Sequence, residues 1–256
     1  MNEGEKNENL IKIYLCYLKK IKDKTSSFGL ITKLGFGEKE YSEFSDKINF
    51  DELDDINYIK EISKELGIEK SSPKNKADVH INGKGYSIKY MDAAPPSIIN
   101  HTNRKGFLRV AKEIGEDIEK FDKLIDEYWE LWNSKKITED CGNDNPLSPF
   151  KDNKNILKPY LEYFCFNGTG SAKSDYPADA IIKFTQYNDV NTWRIYSMSE
   201  TIDEIWNKLK FCMRGGKGMP SDYTKSKDKS VLEKWTKFSS GKYRGALSVR
   251  YKSKWN

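Results

Sequence analysis

Apolar residues recur along this 256-residue chain with two different spacings, and the changes of spacing mark its elements. From Glu8 to Lys22, Leu10, Ile11, Ile13, Tyr14, Leu15, Tyr17, Leu18 and Ile21 give the apolar surface of a first amphipathic helix. Ser26 to Gly37 is turn-rich, with room for a short strand. Between Asp51 and Leu66 one stripe of Leu53, Ile56, Ile59, Ile62 and Leu66 repeats at the helical period. A polar connection, Ser71-Ser72-Pro73-Lys74-Asn75, follows. The spacing then drops to strand alternation: Lys76 to Tyr90 reads as two short strands around the glycine-rich turn Asn82-Gly83-Lys84-Gly85. Asp92-Ala93-Ala94-Pro95-Pro96-Ser97 breaks the chain before a long helical stretch from about Asn103 to Trp132, whose continuous apolar face marks it as core.

The second half is read in the same way. Cys141 to Asn155, with Pro146, Pro149 and many Asn and Asp, is loop-like and is the expected subdomain boundary. Tyr160 to Phe166 predicts a buried strand, and Asn167-Gly168-Thr169-Gly170-Ser171-Ala172-Lys173-Ser174 a turn. That octet lacks the spacing of a Walker phosphate loop, which excludes an ATPase of that kind. Ala178 to Phe184 and Asn191 to Tyr196 predict a second strand pair, followed by a helix from about Glu200 to Leu209.

Composition adds a charge asymmetry. The chain carries +5 overall, yet from Asn207 to Asn256 fourteen Lys or Arg face only three acids, a balance of +11 that leaves −6 on the preceding 206 residues. Trp235, Phe238, Tyr243, Leu247, Val249, Tyr251 and Trp255 are interleaved with these cations, so the region predicts folded structure and a polyanion surface. Cys16, Cys141, Cys165 and Cys212 have no CxxC or His-paired spacing, so neither a zinc site nor a disulfide framework is expected. Together with the lack of a signal peptide or long apolar run, this predicts a protein of the reducing cytoplasm.

The hairpin carries the candidate chemistry. If Ile81 pairs with Tyr86, Asp78 stands opposite Lys89 and His80 opposite Ser87. A tighter Asn82-Gly83 turn puts Asp78 opposite Ser87 instead. Strict alternation keeps Asp78, Ser87 and Lys89 on one face in either register. An acid, a hydroxyl and a lysine on one face can serve phosphodiester hydrolysis, in which a divalent cation neutralises the phosphate and acidifies the attacking water. Magnesium suits such a site because it takes only one or two protein carboxylates and keeps several waters.

At these residues the chain resembles the PD-(D/E)xK nuclease superfamily and, within it, the type II restriction endonucleases. Asp78 matches the first acid and Ser87-Ile88-Lys89 the acid-x-Lys element, with Ser87 standing where the family usually has a second carboxylate. The resemblance implies an α/β fold with a restriction-endonuclease-like core: a mixed central β-sheet flanked by helices, and here a basic C-terminal DNA-binding region. It implies a single nuclease domain over residues 1–256, with the catalytic core at about 1–140 and a strand-rich, basic part at about 150–256. The implied activity is magnesium-dependent, site-specific cleavage of double-stranded DNA, with Asp78 as metal ligand, Lys89 positioning the water and Ser87 assisting. The family also draws a further carboxylate from the preceding helix. The helical wheel favours Glu52, although Asn49-Phe50-Asp51-Glu52 equally fits a capping box.

Candidate DNA contacts are Asn100, Thr102, Asn103, Arg104 and Lys105 after the hairpin, Lys173 in the glycine-rich octet, and Arg214, Lys217, Lys242, Tyr243 and Arg244 in the basic region. Asn100 or Thr102 can also serve as a helix cap. Two-fold symmetric DNA favours a homodimer, and the family implies a protecting DNA methyltransferase that need not touch the protein. Two other readings remain at this point: a non-catalytic DNA-binding protein that keeps the nuclease fold, and a nuclease that reads the shape of branched DNA or RNA.

Overall fold

The structure is a computed structural model that describes residues 1–37, 39–41, 43–68, 74–93 and 97–252. Ser71-Ser72-Pro73, Ala94-Pro95-Pro96 and Trp255, all singled out in the sequence, lie outside the described residues. In chain order the elements are α1 (Glu3–Lys20), β1 (Leu34–Phe36), β2 (Lys39–Glu40), α2 (Ile56–Glu65), β3 (Val79–Ile81), β4 (Lys84–Tyr90), β5 (Ser97–Asn103), α3 (Arg104–Ile114), α4 (Ile118–Asn133), β6 (Cys141–Gly142), α5 (Lys154–Glu162), β7 (Ala180–Phe184), β8 (Arg194–Ser197), α6 (Met198–Ile205), β9 (Leu209–Arg214), α7 (Lys229–Leu232), β10 (Lys237–Ser239), β11 (Lys242–Arg244) and β12 (Ala246–Tyr251). The fold is mixed α/β. No helix among the described residues is long and apolar enough to cross a membrane.

The chain divides into two compact units. The first comprises Met1–Ala94 and Ser174–Met198. Its sheet runs β2-β1-β3-β4-β7-β8 and is mixed, because β4 and β7 are parallel while the other neighbours are antiparallel. Val79, Ile81, Tyr86, Ile88, Ala180, Ile182 and Phe184 build the core from this sheet, together with Leu10, Ile11, Leu15 and Leu18 of α1 and Ile59 and Ile62 of α2. Helix α1 begins five residues before the expected start because Asn2 caps it and Glu5 bonds back in a capping box. The expected second helix is interrupted: Asn49 caps a single 3-10 turn over Phe50–Glu52, and Asp55 caps α2.

The second unit comprises Pro95–Lys173 and Ser199–Ser253. Its antiparallel sheet is ordered β5-β12-β9-β6, and β10 and β11 form a separate two-stranded hairpin. Phe107, Phe121, Tyr160 and Trp235 pack ring against ring in its core.

Four local expectations are corrected here. The single helix over Asn103–Trp132 is two helices, because Gly115 in the left-handed region ends α3 and Asp117 caps α4. The stretch before α3 is strand β5, and its cap is Asn103 rather than Asn100 or Thr102. Tyr160–Phe166 is the end of α5 and a π-helical turn over Tyr163–Asn167, not a strand, since a short run of large apolar residues fits a buried helix as well as a buried strand. Cys141–Asn155 lies within the second unit, where Cys141 and Gly142 pair with Phe211 and Lys210.

Candidate active site

The hairpin takes the tighter of the two registers. Asn82 and Gly83 both have positive φ, +51° and +86°, and the pairs are Val79 with Tyr86, His80 with Gly85 and Ile81 with Lys84. These are the dihedral signs of a two-residue type I′ turn, whose twist matches that of the flanking strands. Asn82 is fixed further by its side-chain oxygen, which accepts from the Thr32 and Lys33 amides at 2.9 and 3.2 Å. Asp78 therefore sits one residue before β3, level with Ser87.

Side chains of β4 divide by alternation: Tyr86 and Ile88 enter the core, and Ser87 and Lys89 take the other face. Asp78 Oδ2 accepts from the Ile88 amide at 2.7 Å and from Ser87 Oγ at 3.1 Å, and Lys89 Nζ lies 3.9 Å away. No hydrogen bond among the described residues engages Asp78 Oδ1. The segment is held at both ends. The Lys76 and Ala77 amides donate to the Tyr176 carbonyl at 3.0 and 2.9 Å. Gly85 N donates to Asp179 Oδ2 at 2.7 Å, and the Asp179 amide donates back to the Gly85 carbonyl at 2.7 Å. A Cβ at position 85 would lie 2.4 Å from the Pro177 carbonyl oxygen, so only glycine lets β4 approach this closely. Asp179 thus ties the start of β4 to the segment that leads into β7.

A second carboxylate, which sequence reasoning missed, feels the charges of this hairpin. Glu8 of α1 is pushed above the ordinary carboxylate range, chiefly by burial and next by the negative charge of Asp78, while Lys12 and Lys89 pull it down. Glu8 Oε1 accepts from Nζ of Lys12 at 2.6 Å, and Lys12 is fully buried. The available signal was the pair Glu8 and Lys12, four apart, on a helix otherwise rich in Leu and Ile. Glu52, the expected additional ligand, instead accepts from Asn49 Nδ2 at 2.9 Å in the 3-10 turn, so the capping alternative describes its bonding. Among the described residues no group of three or more His, Cys, Asp or Glu is gathered in metal-holding geometry.

The expected DNA contacts all belong to the second unit and fall into two classes. Three stretches far apart in sequence line one cleft of about 580 Å³: Asn100, Thr102, Asn103 and Lys105; Thr169, Gly170 and Ser171; and Gly218. The loop wall is clamped by Arg109, which donates to the Gly170 carbonyl at 3.0 Å, to the Tyr163 hydroxyl at 3.0 Å and to the Thr169 carbonyl. Gly218, at φ +86°, lies so close to the backbone of His101 that a Cβ would fall 1.9 Å from its carbonyl oxygen. Lys105 pairs with Asp228 at 2.7 Å, and Lys173 is 3.9 Å from Glu113. Lys217, Lys242 and Tyr243 are exposed.

Arg104, Arg214 and Arg244 have other occupations. Arg104 is buried and grips Asp122 with two bonds, 2.8 and 2.6 Å, while Trp235 Nε1 donates to the same carboxylate at 2.7 Å. Arg244 is also buried; its Nη1 donates to Glu139 Oε1 at 2.7 Å and its guanidinium lies over the Trp132 ring. Arg214 donates to Glu139 at 2.8 Å and Asp140 at 3.1 Å. Burial pushes the Glu139 carboxyl up, but these two arginines and Cys212 outweigh it and bring it below the ordinary range. These guanidiniums hold the second unit together, which corrects the expectation that Arg104 and Arg244 face DNA.

No protein-family model matches the chain, and no curated protein matches it. Among solved structures, a crystal structure of the restriction endonuclease MspI in complex with its cognate DNA is similar at 12% identity and a TM-score of 0.32. The likeness covers 69% of this chain and 64% of that one, so this chain spans less than two thirds of the length of that protein.

Proposed function

We propose that this chain is a magnesium-dependent type II restriction endonuclease, hydrolysing phosphodiester bonds of double-stranded DNA at a short specific sequence. The observation that supports it is the meeting of Asp78, Ser87 and Lys89 at one end of a hairpin inside a mixed sheet, with Glu8 in electrostatic reach. The donor set fits a hard divalent cation: two carboxylates whose mutual repulsion a cation relieves, and a hydroxyl able to bond a metal-bound water. Asp78 and Glu8 would hold it, with no contribution from Glu52. When bound, magnesium supplies charge neutralisation at the phosphate and a more acidic water.

The chain's own groups then have separate tasks. Asp78 anchors the site because the Ile88 amide and Ser87 hydroxyl fix its carboxylate. Lys89 carries the positive charge that orients the attacking water or offsets charge developing on the phosphate. Lys12, itself buried, keeps Glu8 in place through a part-buried ion pair. In the second unit, Asn100, Thr102, Asn103 and Lys105 with Lys217 and Lys242 supply polar and cationic contacts to the duplex. Concerted cutting of both strands calls for a homodimer, with a methyltransferase protecting the host sequence.

The test is incubation with long duplex DNA of known sequence, in magnesium and in EDTA, beside Asp78→Ala. Discrete magnesium-dependent fragments that the variant fails to produce are expected. Smears would indicate a shape-directed or nonspecific nuclease. Intact DNA that is retained without metal in a gel shift would indicate a binding protein.

A further inference from the structure

Large apolar side chains that stand in solvent are few among the described residues, and two of them face each other on one hairpin. Phe238 of β10 is 65% exposed and Tyr243 of β11 is 41% exposed. They are direct cross-strand partners, with ring centroids 5.2 Å apart edge to face, and the Tyr223 ring also packs edge to face on Tyr243 at 4.9 Å. The hairpin is braced at its turn and on one face. Ser240 and Gly241, both at positive φ, form its two-residue turn, and its opposite face is anchored by Arg244 on Glu139 and Trp132. Gly215 makes room for this seat, since a Cβ there would lie 2.3 Å from the Tyr243 carbonyl oxygen.

The surroundings select the occupant. Between Ser221 and Arg244 there are seven Lys or Arg and three acids. Lys225, Lys227, Lys229, Lys234, Lys237 and Lys242 are all exposed; Lys225 engages Asp222, Lys234 stands 3.9 Å from Asp122, and Asp228 is engaged by Lys105. Such a cationic stretch of chain, of which Lys237 and Lys242 lie on the hairpin itself, repels a second copy of the same hairpin, and an apolar partner gains nothing from it. A nucleic-acid strand satisfies both features: its phosphates meet the lysines and its bases offer flat faces to the rings.

We propose that the β10–β11 hairpin is a base-stacking platform on which Phe238, supported by Tyr243 and Tyr223, stacks against an unpaired base of a DNA strand. The inference shares the DNA-binding part of the function proposed above and is independent of cleavage at Asp78. A paired base in a stacked duplex has no free face, so the hairpin would act where the duplex is opened or distorted.

The test uses the full chain in EDTA, so that any nuclease activity is silent. Affinities for a labelled twelve-nucleotide oligo-dT and for inorganic polyphosphate are measured for the wild type, Phe238→Ala and Phe238→Trp. Phe238→Ala is expected to weaken oligo-dT binding about tenfold and to leave polyphosphate binding unchanged. Phe238→Trp is expected to restore the affinity and to add tryptophan emission that oligo-dT quenches and polyphosphate does not. Failure of the wild type to bind oligo-dT, unchanged affinity in Phe238→Ala, or equal loss for both ligands would overturn the proposal. So would sedimentation of the wild type as a dimer that Phe238→Ala dissociates, which would assign the patch to self-association. Absence of magnesium-dependent cleavage in the duplex digest would count against the nuclease function and leave these binding results as they stand.

Discussion

Nζ of Lys89 stands 3.9 Å from Oδ2 of Asp78 and donates to its neighbour's carbonyl, that of Ile88, at 3.0 Å. The lysine is therefore beside the carboxylate without being closed on it, as the proposed role of Lys89 requires. Lys89→Ala is expected to lower the cleavage rate by about 10²–10⁴-fold with a much smaller loss of DNA affinity. Single-turnover kinetics beside a gel-shift titration separate the two, and equal losses in both would make Lys89 a phosphate contact.

Ser87 and Glu8 divide the question of the second carboxylate. Ser87 gives one of the two bonds that fix Asp78, so Ser87→Ala, which keeps the Ile88 amide bond, should lower activity only modestly, whereas Glu8→Gln removes a charge from the proposed metal site and should raise the magnesium concentration for half-maximal cleavage roughly 10–100-fold. Glu52→Gln, in the 3-10 turn, should leave that concentration unchanged. A magnesium titration of the three variants decides the assignment, and the reverse order for Glu8 and Glu52 would restore Glu52.

Arg104 is expected to matter for folding. Arg104→Ala leaves the buried Asp122 without its main partner, and breaking a buried pair in this way costs about 3–5 kcal/mol. Urea unfolding should show that loss. A variant of wild-type stability with relaxed sequence preference would return Arg104 to the DNA surface.

Binding to duplex should depend on salt through exposed lysines. Lys217→Ala combined with Lys242→Ala should flatten the slope of log affinity against log salt by up to about 1.8, each phosphate contact being worth about 0.9. An unchanged slope would move the duplex surface away from both residues.

His101 predicts a pH dependence of stability. Burial lowers its pKa, and Arg214, Lys217 and Arg250 lower it further. In the unfolded chain it titrates at about 6.5, so below that pH the unfolded chain binds a proton that the native protein refuses, and stability falls as the pH drops. His101→Asn, which tolerates the φ of +48° at this position, should reduce the slope between about pH 7 and pH 5. His80, also lowered by burial against the opposing charge of Asp179, leaves a residual slope. Equal slopes in variant and wild type, from chemical denaturation at several pH values, would show that His101 is protonated in the native state.

Local chemistry was enough to read much of this protein from its residues. The glycine-rich turn after Ile81 demands a hairpin, alternation then commits Asp78, Ser87 and Lys89 to one face, and the 3.6-residue stripe commits α2 to the core through Ile59 and Ile62, with Ile56 left exposed. The apolar run Tyr160–Phe166 stayed ambiguous because its helical and extended forms bury the same side chains, and only packing against Phe107 and Phe121 settles it. Register was undecided for a similar reason, since both turns preserve the buried face. What only the tertiary structure decided is which distant groups act on one another: Glu8 in the field of Asp78, the Asn100 and Thr169 stretches around one cleft, and Arg104 and Arg244 with carboxylates 18 and 105 residues away. A charge in a sequence does not say whether water or a partner will solvate it. That choice rests on the desolvation cost at its final position, which exists only once the chain has folded.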